Sequence, residues 1–431
     1  MSVRQLAITV VVLFAAAGLV FAGGQQEAEE AEASQEEAEE EQQTVELNFF
    51  QFKPYLDEAY GDLVEEFREE NPNVEINVQT YGGGQQWQDI LRGRFASGAG
   101  PEIFPVEGPA QYEQWSEYIA DLSGEPWIDT AVPFALEALN VDGKQMGMPV
   151  NLEGYGYIYN KEIFEEAGIS ERPTTLSELT EAAEQLDEAG YTPFGTGYAT
   201  WWVTGLHLMN VAFAHQDDPL AFIEGLNDGS ESFSDNELFA DLQDLVDLTV
   251  EYGEEDPLTT DHEEQVQMFA NGEVAMIQQG VWKEVPIMEV DEDIEIGLLP
   301  PALNDSAGMD RIPVGVPFYF VVNKEASEQK QEAAKSFLNF MVNTDVGQRY
   351  ATEEFGFIPA YQDVEPRGLG GVGKDILEYA GEDKTVPWVF GRFPEGFADD
   401  ASDAIQQYVT DRISWSEVLE QLDQSWERRA E

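Results

Sequence analysis

An α/β protein of two lobes is the fold class this sequence predicts, on three observations. Apolar residues spaced as strands and as helices alternate from Thr44 onward. The 431 residues are roughly two to three times a typical domain, with 42% hydrophobic and 12% aromatic residues to build cores. No long Pro- or Ser-rich linker interrupts the body, so two lobes would be joined by strands or short hinges.

In chain order, the first residues precede the fold. Arg4 supplies a positive start, Leu6 to Phe21 an apolar run of signal-peptide length, and Val20 and Ala22 the small residues a signal peptidase reads. Residues 1–22 are therefore expected to be a cleaved signal peptide, with an uncleaved anchor as the alternative. Residues 23–43 hold nine Glu and no aromatic, nothing that would repay the entropy of ordering, and read as an acidic disordered linker.

The body then alternates. Val45, Leu47 and Phe49 mark a strand. Tyr55, Ala59, Leu63 and Phe67 mark one helix face, stopped by Asn71-Pro72. Val74, Ile76 and Val78 make the next strand. Trp87, Ile90 and Leu91 start a helix ended by Gly98-Ala99-Gly100-Pro101, and Ile103 to Val106 is a short buried strand. Such alternation implies a mainly parallel sheet whose ligands lie beyond the carboxyl ends of its strands, at Gln51 to Pro54 and Glu107 to Tyr112. Thr175 with Glu178, and Ser414 with Glu417, have the form of capping boxes opening helices. Further helical patterns fit residues 236–252, 326–343 and 399–410.

Charge and composition exclude several functions. With 21 Lys+Arg against 86 Asp+Glu the net charge is −65, which repels nucleic acid, because binding to phosphates rests on Lys and Arg displacing counterions. Only nine of those acids lie in the linker, so the folded surface is acidic too, like that of proteins working in high salt. No cysteine is present, removing disulfides, thiol catalysis and thiolate metal sites. The three histidines, His207, His215 and His262, lack metal-ligand spacing, and no phosphate-cradling glycine loop occurs; Gly82-Gly83-Gly84 reads as a flexible turn. No metal or cofactor is expected. Chance pairs among 86 acids carry almost no information, so a glycoside hydrolase stays open on composition alone.

Aromatics in turn-rich segments are more informative. Tyr155, Tyr157, Trp201, Trp202, Trp282 and Trp388 sit near carboxylates and amides. Flat rings stack on the apolar side of a sugar while those polar groups meet its hydroxyls. Core packing is the competing reading for each Trp, less so for adjacent Trp201 and Trp202, which on a regular element cannot both point inward.

The most specific stretch is Pro149 to Glu166, P-V-N-L-E-G-Y-G-Y-I-Y-N-K-E-I-F-E-E. It resembles the signature of extracellular solute-binding proteins of carbohydrate ABC importers, the maltose-binding-protein-like family. Residues 99–103, 143–149, 271–276 and 314–324 resemble further family segments in the same order, so the likeness runs from Thr44 to the C-terminus; Glu102 stands where Asp is commoner.

The resemblance implies a two-lobed periplasmic-binding-protein fold with hinge-crossing strands, one lobe from residues 44–150 and 315–358, the other from 151–314 and 359–431. It also implies a monomeric, periplasmic, non-catalytic receptor that closes on a neutral sugar or oligosaccharide and delivers it to a membrane permease. By position, Glu153 falls on a carboxylate that meets sugar hydroxyls, Trp282 on a stacking aromatic and Trp388 near another. Gln51, Phe52 and Glu107 end strands of the first lobe, and Gly315 falls in a hinge crossing. Tyr155, Trp201 and Trp202 rest on composition and local order. Trp282→Ala and Glu153→Ala are each expected to weaken sugar binding with folding largely intact. A polyamine receptor and a secreted glycoside hydrolase are the alternatives.

Overall fold

The computed structural model describes residues 44–82 and 86–430. The expected signal peptide, the expected acidic linker and Gly83-Gly84 of the glycine turn lie outside them. Thirteen strands among the described residues are β1 (Val45–Gln51), β2 (Val74–Thr80), β3 (Ile103–Val106), β4 (Asn140–Val141), β5 (Lys144–Gln145), β6 (Met148–Pro149), β7 (Glu153–Asn160), β8 (Thr192–Gly195), β9 (Val274–Gly280), β10 (Ile296–Leu299), β11 (Ile312–Gly315), β12 (Tyr319–Val322) and β13 (Thr385–Pro387).

The first lobe's sheet has the order β2-β1-β3-β12-β6. Its alternating β1 puts Leu47 and Phe49 into the core under the helices Asp57–Glu70 and Glu328–Asn343, and Phe50 into a second core around Trp87, Phe95, Phe104 and Trp115 on the other face. Phe49 is fully buried and meets the rings of Tyr60 and Phe320 edge-on at 5.1 and 4.9 Å, so truncating it to Ala would cost about 3–5 kcal/mol. The helix before β2 stops where expected: Asn71 directs both its backbone and side-chain N–H to the Phe67 carbonyl, each at 3.0 Å.

The second lobe's sheet has the order β13-β11-β7-β9-β8, with β10 also paired to β7. The signature strand β7 is buried along its whole length. Tyr155, Tyr157 and Tyr159 point into one core and Ile158 into the other. Asn160 ends it by accepting from the N–H groups of Glu162 and Ile163, opening the helix Lys161–Glu166.

The sheets are mixed rather than mainly parallel. β1 pairs β2 and β3 in parallel, but β12 runs antiparallel to β3 and β6, and β7 antiparallel to β9, β10 and β11. The reversed strands are those on which the chain crosses between lobes: β6 leads into β7 and β11 into β12, so each crossing strand enters its new sheet running back from the shared edge. Between residues 358 and 372 the chain touches both lobes, with Ala360, Tyr361 and Val364 in the first lobe's core and Ile358, Leu369 and Val372 packed in the second's.

The predicted caps form. Ser414 and Glu417 make a reciprocal box, with Ser414 N–H on the Glu417 carboxylate at 2.7 Å, opening the helix Trp415–Ala430. Thr175 caps Leu176–Ala189, but the Glu178 carboxylate reaches back one residue further, to Thr174. Glu102 takes Asn48 N–H at 2.7 Å and Lys330 Nζ at 2.6 Å, tying the loop before β3 to β1 and to a helix. No helix among the described residues is long and apolar enough to cross a membrane, and no three of their His, Asp and Glu side chains group as a metal site.

Candidate ligand-binding site

Between the lobes lies a cavity of about 690 Å³, placed where the ends of β1 and β3 face the second lobe. Phe52, Glu107, Glu153, Trp201, Trp202, Trp282 and Trp388, all expected from the sequence, line it.

Three expected residues do not. Gln51 is 2% exposed because its amide is used internally: its oxygen accepts from Lys53 N–H at 2.7 Å and its nitrogen donates to Thr80. Tyr155 lies beneath the floor, its hydroxyl donating to the His207 carbonyl at 2.7 Å and accepting from Asn210 at 3.1 Å. Gly315 backs the wall: a Cβ there would stand 2.7 Å from the Cβ of Trp388, so the missing side chain makes room for that indole.

At the inner end, the loop after β1 holds Lys53 and the start of β7 holds Glu153, 8% and 3% exposed. They form an ion pair across the lobes, and Asn151 donates to the same carboxylate at 3.1 Å. Lys53 also lies over the Phe318 ring, 5.3 Å from its centre. An ion pair this buried needs both members, because either one alone is an uncompensated charge away from water.

The second lobe supplies an aromatic cluster. Trp202, Trp282 and Trp388 stand around His207, with ring centres 5.2, 4.9 and 5.9 Å from the imidazole. Trp282 is fixed by a chain of amides: its Nε1 donates to Gln279 at 2.9 Å, Gln279 to Gln265 at 2.7 Å, and Gln265 to the Gly195 carbonyl at 2.6 Å. Asn210 fastens the segment carrying Trp388, taking Val389 N–H at 2.8 Å and donating to the Pro387 carbonyl at 3.3 Å. Facing them from the first lobe, Phe52 stacks on Trp87 at 4.8 Å and 12°. Trp201 and Trp202, at the start of the helical stretch 201–214, are both half-buried on the cavity side.

Burial tunes the ionisable groups. It pushes Glu107 up to about 7, against hydrogen bonds from Gln111 and Gln88 and the charge of Lys53. It holds His207 down to about 3, helped by Lys53, and His262 down to about 4, helped by Lys283. Lys283, whose Nζ lies 2.7 Å from His262 Nδ1, is itself lowered to about 8 by burial. Near neutral pH the cavity thus offers two neutral imidazoles, two lysines and partly protonated Glu107.

Lys53, Trp87, His207, His262 and Lys283 are wall residues that the sequence reading did not assign to the ligand. Lys53 lay inside the window 51–54 set by the end of β1. Trp87 is visible only as a helix-core residue, and lone histidines and a lysine near turns carry no pattern.

Residues 53–348 match the family described as bacterial extracellular solute-binding protein. The chain belongs to that family.

As a solute-binding protein it is similar to the melibiose/raffinose/stachyose-binding protein MelE of Bacillus subtilis (strain 168), 24% identical with 84% of each chain covered. It is also similar to the arabinooligosaccharide-binding protein of Halalkalibacterium halodurans, 24% identical over 78% of this chain and 76% of the relative. Among solved structures, a chitin oligosaccharide binding protein superposes with a TM-score of 0.77 at 20% identity, covering 90% of this chain and 99% of its own. RafE in complex with raffinose gives 0.76 at 20%, covering 90% and 100%. These structures share the two-lobed fold. The family and these relatives are binding proteins rather than enzymes, which disfavours the hydrolase, and Glu153, one of the cavity's acids, is already committed to Lys53 and Asn151.

Proposed function

We propose that this solute-binding protein captures a neutral sugar or oligosaccharide between its lobes and delivers it to the membrane permease of an ABC importer. The observation that carries the reading is the cluster of Trp202, Trp282 and Trp388, facing Phe52 and Trp87 across a cavity of about 690 Å³ edged with carboxylates, two imidazoles and the Gln267 amide. Flat faces take the sugar's C–H side, and polar groups that both donate and accept take its hydroxyls. The relatives named for melibiose, raffinose, stachyose and arabinooligosaccharides support the same ligand class. Against a polyamine stand Lys53 and Lys283, two buried cations in the cavity of a chain that has 21 Lys+Arg in all.

In this reading Phe52, Trp201, Trp202, Trp282 and Trp388 pack on sugar rings, Glu107 and the two imidazoles meet hydroxyls, and Glu153, expected to meet them too, serves instead to hold Lys53. The protein acts as a monomer without catalysis, exported by cleavage after residue 22, with the acidic segment 23–43 preceding the lobes in the mature chain. Closure contributes binding energy only when the ligand touches both lobes, which lets the permease sense the loaded state.

A thermal-shift screen of the mature protein, at low and molar salt, tests this with neutral sugars and polyamines side by side, since a ligand bound only by the native state raises its melting temperature. A shift by a sugar recovered intact on chromatography is expected. A shift by polyamines alone, or a cleaved sugar, would overturn the reading.

A further inference from the structure

Past Glu107 the space between the lobes continues. A second chamber of about 150 Å³ shares Glu107, Trp201, Leu206 and Phe390 with the main cavity. It lies between the helix Trp87–Ala96 with residues 107–114 on the first lobe and residues 390–399 on the second. At about 30 Å³ per water in the liquid, it holds about five waters, about the bulk of one pyranose ring.

The chamber's chemistry differs from that of the main cavity. In place of a tryptophan cluster, Gln88, Gln111 and Gln114 line it from one lobe, with Arg92 beside them, and Glu395 and Asp399 line it from the other. Amides donate and accept at once, as a sugar hydroxyl does. One of those groups is left open: Gln88 Oε1 is buried with no hydrogen-bond partner, a cost that a donor from a guest would remove. Arg92 and Glu395 meet across the lobes at 2.5 Å at the chamber's edge. Both side chains are about half exposed, so this contact holds the lobes only weakly by itself and can open to admit a guest.

We propose that this chamber is a second sugar subsite, which holds one terminal unit of an oligosaccharide while the neighbouring unit stacks on the tryptophans of the main cavity. The inference rests on the sugar reading above and adds to it a chain length: the preferred ligand has more units than the main cavity alone engages. Glu107, shared by both spaces, sits where the two units join and accepts from hydroxyls on either side.

Ala110 lines the chamber and not the main cavity, so Ala110→Phe fills the subsite alone. Calorimetric titration of the wild-type protein and this variant with ladders of one to five units, in the α-galactoside, β-xyloside and α-glucoside series, tests the proposal. In the series that binds, wild-type affinity is expected to rise tenfold or more at one added unit. Ala110→Phe should lose that step while holding shorter members as the wild-type does. Equal affinities of the two proteins along the ladder, or a flat wild-type ladder, overturn the subsite and leave the sugar reading standing. A wild-type protein that binds no member of any ladder overturns both. Should Ala110→Phe fail to give a cooperative melt, Gln114→Ala serves in its place, with a several-fold loss confined to the longer members expected and unchanged affinity contradicting the proposal.

Discussion

On the first lobe the cavity wall comes from the ends of neighbouring parallel strands, with Phe52 and Lys53 following β1 and Glu107 following β3, whereas on the second lobe it is assembled from segments far apart in the chain. Trp202, Trp282 and Trp388 converge there on His207, with Trp282 pinned from behind by Gln279 and Gln265 and the Trp388 segment by Asn210. The wall set by sheet topology reaches across to the other lobe through Lys53, while the wall set by convergence gathers three indoles around one imidazole. Holding the lobes in register is therefore the work of the first, and recognising a ring that of the second. Substitutions in the two walls should separate stability from affinity.

The largest effect is expected on the ion pair by which the first wall's Lys53 reaches Glu153 of the second lobe. Glu153→Gln strands the buried Lys53 ammonium and should cost about 3–5 kcal/mol of folding stability in urea titration, with Lys53→Met/Glu153→Met recovering most of it. A single variant as stable as the double would erase the distinction between the walls. On the second wall Trp282→Ala should leave the melt nearly unchanged and weaken sugar binding by about 1–3 kcal/mol, measured by calorimetry.

Acid should act on the second wall through its imidazoles. His207 and His262 bind protons more weakly folded than unfolded, so unfolding takes up protons below about pH 6.5 and stability falls as the pH drops toward about 4 for His262 and about 3 for His207. Glu107 on the first wall has the opposite sign: its raised pKa contributes stability at low pH that is lost as the pH rises from 4.5 through about 7. Melting curves against pH should show Glu107→Gln removing the second slope and His207→Asn weakening the first. Smallest is Gly315→Ala, whose methyl would press on Trp388 and should reduce sugar affinity several-fold with a slight drop in melting temperature. An unchanged affinity there would show that the Trp388 position is not critical.

Much of the fold was legible because it is local. The alternation in β1, the stop at Asn71 and the Ser414 box need only near neighbours, and the segment Pro149 to Glu166 carries β6, the crossing, β7 and the cap of the next helix. What escaped is what tertiary contact decides. Lys53 reads as a solvated loop residue until a carboxylate 100 positions away buries it, and the same contact turns Glu153 from an exchangeable ligand group into a structural one, so folding is not expected to survive its loss intact. Gln51 and Tyr155 have side chains suited to a ligand, yet each spends them on the protein. The antiparallel crossing strands could not be read from apolar spacing, which is blind to strand direction.

Calorimetric titration of the wild-type protein and Trp282→Ala with the sugar retained in the thermal-shift screen tests the central claim most directly. A dissociation constant raised about tenfold or more in the variant, with its melting temperature held, is expected, and equal constants would show that Trp282 does not recognise the sugar.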